Sequence, residues 1–416
     1  MLPVELTTAP LGARYAFRVG ACAEPAGRGC FFAAPRRIEV GRVREDIDGD
    51  AVGDLFLVGQ AGMSQELRRA TTSGTSMVAS AVTIRAVSWV GDYDGDGIGE
   101  LAMTTDGAPG GRVVFLDDLV VAGTVDEAAG AQLGGSLSAL DDVDGDGYAD
   151  FAASVVGEEE VRVFLGGPTF DAARAVVVRA PSGVTEFGAA IAGVGDRDAD
   201  GLADLAVVAR VGTDSGRVFV YSLAGRAPLE LERHMIATGE TSGGSAGAIP
   251  LTLAGGADMD DDGTPEIVIG RPRLDRVAIV FGDGTLDSTT LEGEAGTSVA
   301  IGDLDGTGAA RAIAGGPTAV DPTFGQDGTS WHIARDAGSF LEVRIRFIDF
   351  SSMASYGREV SVLDFDGNGR EDPVVLDGAG GSVHVVFYDP DTMRIDPGGE
   401  LFFPGSGISS WLHLAR

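Results

Sequence analysis

The sequence predicts an all-β fold: a seven-bladed β-propeller whose four-stranded antiparallel blades each carry an acidic loop between the first and second strands. Three observations predict it. An acidic nonapeptide recurs seven times, short segments rich in β-branched and small residues flank the copies, and no stretch longer than a turn or two shows the 3.6-residue apolar period of a helix.

The copies are DIDGDAVGD (46–54), DYDGDGIGE (92–100), DVDGDGYAD (142–150), DRDADGLAD (196–204), DMDDDGTPE (258–266), DLDGTGAAR (303–311) and DFDGNGRED (364–372). Their first aspartates lie 46, 50, 54, 62, 45 and 61 positions apart, which is a structural repeat rather than scattered acid. Each loop is entered from an apolar stretch such as AVSWVG (86–91) or FGAAIAGV (187–194). It is left into another, as in LFLVG, LAMTT, FAASVVG, LAVVA, IVIG and PVVL, segments whose composition favours strands. A third segment alternates with period two, as in GRVVFLDD (111–118), EVRVFLGG (160–167), GRVFVYS (216–222), DRVAIVFGD (275–283) and GSVHVVFYD (381–389). A fourth is visible in ARAVVVRA (173–180) and FLEVRIRFIDF (340–350). One such unit cannot bury both of its faces alone. Stacking the units radially covers the faces and leaves only short edges, so seven repeats imply seven blades.

The whole chain, 1–416, reads as a single propeller domain and a monomer: an N-terminal segment (1–36), repeats over about 37–390, and a C-terminal segment (391–416). Ring closure falls either to RYAFRV (14–19), pairing with the last blade near 381–403, or to WLHLAR (411–416).

Carboxylates at positions 1, 3, 5 and 9 of a tight turn, a Gly at 6 that permits positive φ and a backbone carbonyl at 7 surround one point with oxygen. Hard oxygen donors in a flexible cage suit Ca²⁺. The expected ligands are Asp46, Asp48, Asp50, Val52 and Asp54 in loop 1; Asp92, Asp94, Asp96, Ile98 and Glu100 in loop 2; and Asp142, Asp144, Asp146, Tyr148 and Asp150 in loop 3. Loop 4 offers Asp196, Asp198, Asp200, Leu202 and Asp204, loop 5 Asp258, Asp260, Asp262, Thr264 and Glu266, and loop 7 Asp364, Asp366, Asn368, Arg370 and Asp372. Loop 6 keeps only Asp303 and Asp305, with Thr307 at position 5 and Arg311 at position 9. Weak or absent binding is expected there, with Arg311 pairing an Asp in place of the ion. About six Ca²⁺ sites follow. An EF-hand would place a bidentate Glu at position 12, where this chain has Leu57, Met103, Ala153, Val207, Ile269, Ala314 and Val375.

Thirty basic against sixty-three acidic residues leave a formal charge of −33, which opposes nucleic acid as a partner. All the basic residues are Arg and the single Asn is Asn368, a bias that fits a GC-rich bacterial genome. No apolar run approaches the ~18 residues of a membrane span. Cys22 and Cys30 are close enough for a disulfide, which would stabilise by roughly 2–3 kcal/mol and fits an oxidising compartment; two buried thiols are the alternative. The start MLPVELTTAP has neither a charged nor an apolar signal region.

FG in FGAAIAGVGDRDADGLADLAVV (187–208), YG in YGREVSVLDFDGNGREDPVVL (356–376) and the D-x-D-G-D-G-x-x-D loops resemble FG-GAP/VCBS repeats. Such repeats build the N-terminal propeller of integrin α subunits and occur in many bacterial secreted proteins. The resemblance covers about residues 37–390. It implies calcium loops on one face, a partner on the opposite face, and a secreted or cell-surface adhesion module for a protein or cell-surface ligand. The GAP segment survives only as GRPRLD (270–275) and GGPTAV (315–320). A glycan-binding propeller is the rival reading, although Trp89, Trp331 and Trp411 occupy different places in their repeats. A polysaccharide-acting enzyme is the further alternative, but enzyme signatures are sparse: GGSAG (243–247) lacks the strand-to-helix turn of a nucleophile elbow, and His332 and His384 fall in strand segments, so no catalytic set is assigned. The longest Gly/Ser/Thr-rich stretches, Gln60–Val82, His234–Pro250 and Pro317–Ser330, are read as loops of the partner face.

Overall fold

The segments that leave the acidic loops are buried along nearly their whole length because both of their faces are covered. In the strand Leu205–Val211, Leu205, Val207 and Ala209 pack against the preceding blade, while Ala206 and Val208 pack against the next. The strand Leu55–Ala61 splits in the same way, with Phe56 and Val58 to one side and Leu55 and Leu57 to the other. Each such fully buried side chain contributes roughly 1.5–3 kcal/mol.

The computed structural model describes residues 14–17, 20–22, 30–32, 36–39, 45–47, 53–71, 74–211, 215–237, 251–321, 325–326, 328–336, 339–343, 356–377, 382–389, 394–404 and 410–414. Seven four-stranded antiparallel sheets form the blades. Blade 3 shows the pattern: Leu133–Asp141, Asp150–Val155, Glu160–Phe164 and Val176–Arg179, in spatial and sequence order. The inner strands are Ser410–Leu414 (blade 1), Ile84–Gly91 (2), Leu133–Asp141 (3), Ile191–Gly193 (4), Thr252–Gly255 (5), Val299–Gly302 (6) and Tyr356–Leu363 (7). Each touches the next around a central channel, and blade 1 meets blades 2 and 7. Among the described residues seven buried clusters fill the seven junctions between neighbouring blades. Trp89 stacks edge-on against Phe56 (ring centroids 5.2 Å apart) in the junction of blades 1 and 2, and Trp331 is buried in that of blades 5 and 6.

The ring is closed by the C-terminal strand: Ser410–Leu414 pairs with Leu55–Ala61 and supplies the innermost strand of blade 1. The N-terminal strand Arg14–Phe17 pairs with Arg36–Glu39 instead of with a blade. A second short hairpin, Gly20–Cys22 with Cys30–Phe32, sets Cys22 opposite Cys30 in register. Blade 7 runs on through its outer strand Arg394–Pro404, past residue 390.

Gln60–Val82 is not a loop. It folds into the third and fourth strands of blade 1, Ser64–Thr71 and Gly74–Ala81. Pro317–Ser330 includes a two-stranded hairpin, Val320–Asp321 with Gly325–Gln326, between the second and third strands of blade 6. His234 lies within the fourth strand of blade 4, Leu229–Ala237, opposite Val218, whereas residues 238–250, with GGSAG, lie outside the described residues.

Candidate metal centres on the acidic-loop face

Nonapeptides 2 to 7 join the first to the second strand of a blade, and nonapeptide 1 leads into the second strand of blade 1, whose first strand comes from the C-terminus, so the loops share one face of the ring. Local hydrogen bonds shape them alike. The position-6 N–H donates to the position-1 carboxylate in loops 2 to 7, as from Gly147 to Asp142 (2.9 Å) and from Gly369 to Asp364 (2.8 Å). That geometry needs positive φ at position 6, where Gly147 has +88° and Gly263 +91°. Position 4 is left-handed too, and in loops 4 and 5 a non-glycine takes it: Ala199 at +59° and Asp261 at +61°. The position-7 N–H donates to the position-5 side chain, from Ile98 to Asp96 (2.7 Å) and equally from Arg370 to Asn368 (2.8 Å).

Position 2 is a plug, a role that composition alone did not reveal. Ile47, Tyr93, Val143, Arg197, Met259, Leu304 and Phe365 are all buried. Except at Leu304, the plug's N–H donates to one oxygen of the position-9 carboxylate: Tyr93 to Glu100 (2.5 Å), Val143 to Asp150 (2.8 Å), Phe365 to Asp372 (3.0 Å). At Arg197 the plug is a cation whose side chain is 0 % exposed. It pairs with Glu232 (2.6 Å) and donates to the carbonyls of Pro265 and Phe281. Burial would raise the Glu232 carboxyl, but hydrogen bonds from His234 and Arg197 override it and hold it at about 2.

The loops are also stitched to one another. The position-8 N–H of one loop donates to the position-1 carbonyl of the loop before it: Ala149 to Asp92 (3.0 Å), Ala203 to Asp142 (3.1 Å), Ala310 to Asp258 (2.7 Å), Glu371 to Asp303 (3.0 Å) and, across the closure, Gly53 to Asp364 (2.7 Å). Loop 5 has Pro265 at position 8 and no N–H to give; there the Arg197 guanidinium of loop 4 binds the Pro265 carbonyl instead.

Carboxylate oxygens converge in five loops. Asp92, Asp94, Asp96 and Glu100 bring one oxygen each within 4.8 Å of one another, as do Asp258, Asp260, Asp262 and Glu266. Asp142, Asp144 and Asp146 form a three-carboxylate set, as do Asp196, Asp198 and Asp204, and Asp364, Asp366 and Asp372. The four-carboxylate loops are the two with Glu at position 9; loops 4 and 7 also bring position 9 into the set, as Asp204 and Asp372, and lack a converging carboxylate at position 5. Two expected ligands stand outside these sets. Asp150 has both oxygens engaged by backbone N–H groups, of Val143 (2.8 Å) and Gly166 (2.7 Å), and Asp200 is exposed with Oδ1 held by the Leu202 N–H (2.9 Å). In loop 1, residues 48–52 lie outside the described residues, and Asp54 Oδ1 is 2.5 Å from the Arg69 guanidinium. In loop 6 Arg311 pairs with Asp305.

Two carboxylates 4.8 Å apart repel by about 3.5 kcal/mol at an effective dielectric of ~20. Six such pairs in one four-carboxylate loop would total roughly 20 kcal/mol; even after solvent screening at the rim, that rivals the ~5–15 kcal/mol that holds a typical domain. The loop must therefore take up protons or a cation. Burial, reinforced by the neighbouring aspartates and opposed by the N–H bonds, pushes Glu100 up to about 9, Asp150 and Asp372 to about 8, and Asp204 and Glu266 to about 7. Asp305 goes the other way: burial would raise it, but hydrogen bonds from Thr307 and the Arg311 charge hold it below the usual range. Glu100 Oε1, Asp204 Oδ1 and Glu266 Oε1 are buried carboxylate oxygens that accept no hydrogen bond from the protein. Hard, clustered oxygen donors with uncompensated lone pairs fit a divalent cation such as Ca²⁺.

No protein-family model matches the chain. It is 31% identical to human (Homo sapiens) integrin alpha-IIb over 221 residues, which is 46% of this chain and 20% of that protein, so the match spans about a fifth of the relative's length. A functionally unknown protein from Desulfotomaculum acetoxidans superposes with a TM-score of 0.50 at 8% identity, over 87% of this chain and 99% of that one. A streptogramin B lyase structure superposes with a TM-score of 0.44 at 8% identity, over 88% and 96%. Among the described residues no helix is long and apolar enough to cross a membrane. In sequence and in architecture, then, the chain is an integrin-like seven-bladed β-propeller.

Proposed function

We propose that the chain is a calcium-stabilised, non-enzymatic binding module, a single monomeric domain over 1–416 that works at the cell surface or outside the cell and engages a protein ligand. The observation that carries this reading is the gathering of buried, unsatisfied carboxylate oxygens in repeated loops on one face of an integrin-like propeller. The side chains that would hold ions are those of the five converging sets, with the position-7 carbonyls of Ile98, Tyr148, Leu202, Thr264 and Arg370 as further oxygens. Bound Ca²⁺ supplies the positive charge that lets each set ionise together. The plugs, the N–H bonds to position 9 and the stitching between loops then transmit that order to the blade junctions. The opposite face, built from hairpin tips and inter-blade connections, is left for the partner.

A protein ligand is favoured over a glycan because Trp89 and Trp331 are buried between blades and offer no stacking platform. Calorimetric titration of the chelator-stripped chain with CaCl₂, followed by capture from native membranes with and without Ca²⁺ and by a glycan array, tests the reading. Binding of several calcium ions and calcium-dependent capture of one protein are expected. Absence of calcium binding would refute the metal assignment, and recurrent hits on one sugar would replace the protein ligand by a glycan.

A further inference from the structure

Loop 3 differs from loop 2 in what stands beside its carboxylates. Asp144 and Asp146 use Oδ1 to accept the N–H groups of Asp146 (3.1 Å) and Tyr148 (3.2 Å), as Asp94 and Asp96 do for Asp96 (3.0 Å) and Ile98 (2.7 Å). In loop 3 the Oδ2 atoms face a guanidinium. Arg226 Nε lies 2.7 Å from Asp144 Oδ2, Arg226 Nη2 lies 3.3 Å from Asp146 Oδ2, and Arg174 Nη2 lies 2.9 Å from that same Asp146 oxygen. The Nε pairing is ionic rather than directional: Asp144 Oδ2 accepts no well-aligned hydrogen bond although its side chain is 1 % exposed. Asp94, Asp96 and Glu100 of loop 2 meet no guanidinium among the described residues.

Arg226 belongs to the neighbouring blade. It ends the single 3₁₀ turn Ala224–Arg226 between the third and fourth strands of blade 4, has φ +61°, and its side chain is 47 % exposed. A half-exposed arginine on a short turn can be rehydrated at small cost, since exposed ion pairs contribute little.

We propose that Arg226 is a built-in competitor for the divalent cation at loop 3, so that calcium binding to Asp142, Asp144 and Asp146 expels its guanidinium and frees the blade-4 turn. This rests on the calcium reading above. Both cations draw on the carboxylates of Asp144 and Asp146, and a metal ion gathers three carboxylates at once where the guanidinium holds two. While Arg226 sits on Asp144 and Asp146 the cage is closed to the ion, so affinity at loop 3 is reduced to the fraction of time the cage is open. The same device appears without an exchangeable partner in loop 6, where Arg311 comes from the loop itself and only two carboxylates remain.

The test is calorimetric CaCl₂ titration of the full chain, with Asp144→Ala identifying which site is loop 3. Arg226→Gln should tighten that site about tenfold. Arg226→Lys, which keeps the charge and loses the fork, should tighten it less. Arg179→Gln removes one charge that pairs with Glu160 (3.8 Å) at the other end of blade 3, and should leave it unchanged. The proposal is overturned if Arg226→Gln stays within twofold of wild type while Asp144→Ala still deletes a site, or if Arg179→Gln tightens binding as much. A wild-type chain that binds no calcium at all would instead remove the reading on which the proposal stands.

Discussion

Glu100→Gln separates a ligand from a packing residue. Glu100 is buried, its Oε2 accepts the Tyr93 N–H at 2.5 Å, and its Oε1 has no hydrogen-bond donor. Without an ion, burial keeps its carboxyl protonated at pH 7, because it titrates at about 9. Glutamine copies that neutral form and can still accept the Tyr93 N–H. In chelator the variant should therefore melt within about 1 kcal/mol of wild type, the usual scale for a near-isosteric change. With calcium present the variant lacks one charged ligand, and a charge-assisted contact contributes about 1.5–3 kcal/mol. Unfolding entropy of about 2.1 cal/mol/K per residue over 416 residues gives roughly 0.9 kcal/mol per degree. The melting point in 1 mM CaCl₂ should thus fall about 2–3 °C below wild type, while the two curves in EGTA nearly coincide. Differential scanning fluorimetry in both buffers reads this directly. An equal depression in EGTA and in calcium would refute the ligand role and leave Glu100 as a core residue.

Three further outcomes follow from the same geometry. The carboxyls of Glu100, Asp150, Asp372, Asp204 and Glu266 titrate at about 7 to 9 when folded, above their ordinary values of 4.5 and 3.8, so the stability they lend the metal-free chain is fully present below pH ~4 and lost as pH rises through 7–9. Melting in EGTA should therefore be higher at pH 5.5 than at pH 9, while the increment added by calcium grows with pH as protons stop competing; a metal-free chain that is more stable at pH 9 contradicts the assignment. Glu232→Gln leaves the buried Arg197 guanidinium without its counter-charge and should cost about 2–4 kcal/mol, seen as a melting point lowered by a few degrees with or without calcium. Truncation after Pro404 removes Ser410–Leu414, exposes the edge of Leu55–Ala61 and opens the ring, so the shortened chain should aggregate or lose its cooperative transition in circular dichroism.

The blades were legible because the signal is local. Seven acidic nonapeptides mark the first turn of each blade, and the apolar runs behind them follow from strands covered on both faces. The outer strands of blade 1 were not: SQELRRAT and GTSMVASA bury little, so their Ser, Gln, Thr and Arg content looks like that of a loop. Closure was open between the termini because RYAF and SWLHL are equally strand-like, and only pairing distinguishes them. Within the candidate site, spacing gave the converging carboxylates but not the exceptions. Asp150 is diverted by the Gly166 N–H from just beyond the third strand of its blade, and Arg226 reaches Asp146 from 80 residues away, contacts that no local pattern encodes.

The five amides that stitch acidic loops to their predecessors, with the Arg197 guanidinium at loop 5, act as a hoop along most of one rim of the ring. A hoop fixes circumference: a stitched blade cannot be inserted, removed or tilted without breaking its fastenings, and slack in one loop is felt by the loops tied to it. The other rim is tied less regularly, by bonds such as that from the Leu133 N–H to the Gly110 carbonyl (2.7 Å), which leaves its hairpin tips room to diversify in length and chemistry above the same frame. One rim of the ring thus keeps shape, and the other is available for evolutionary change.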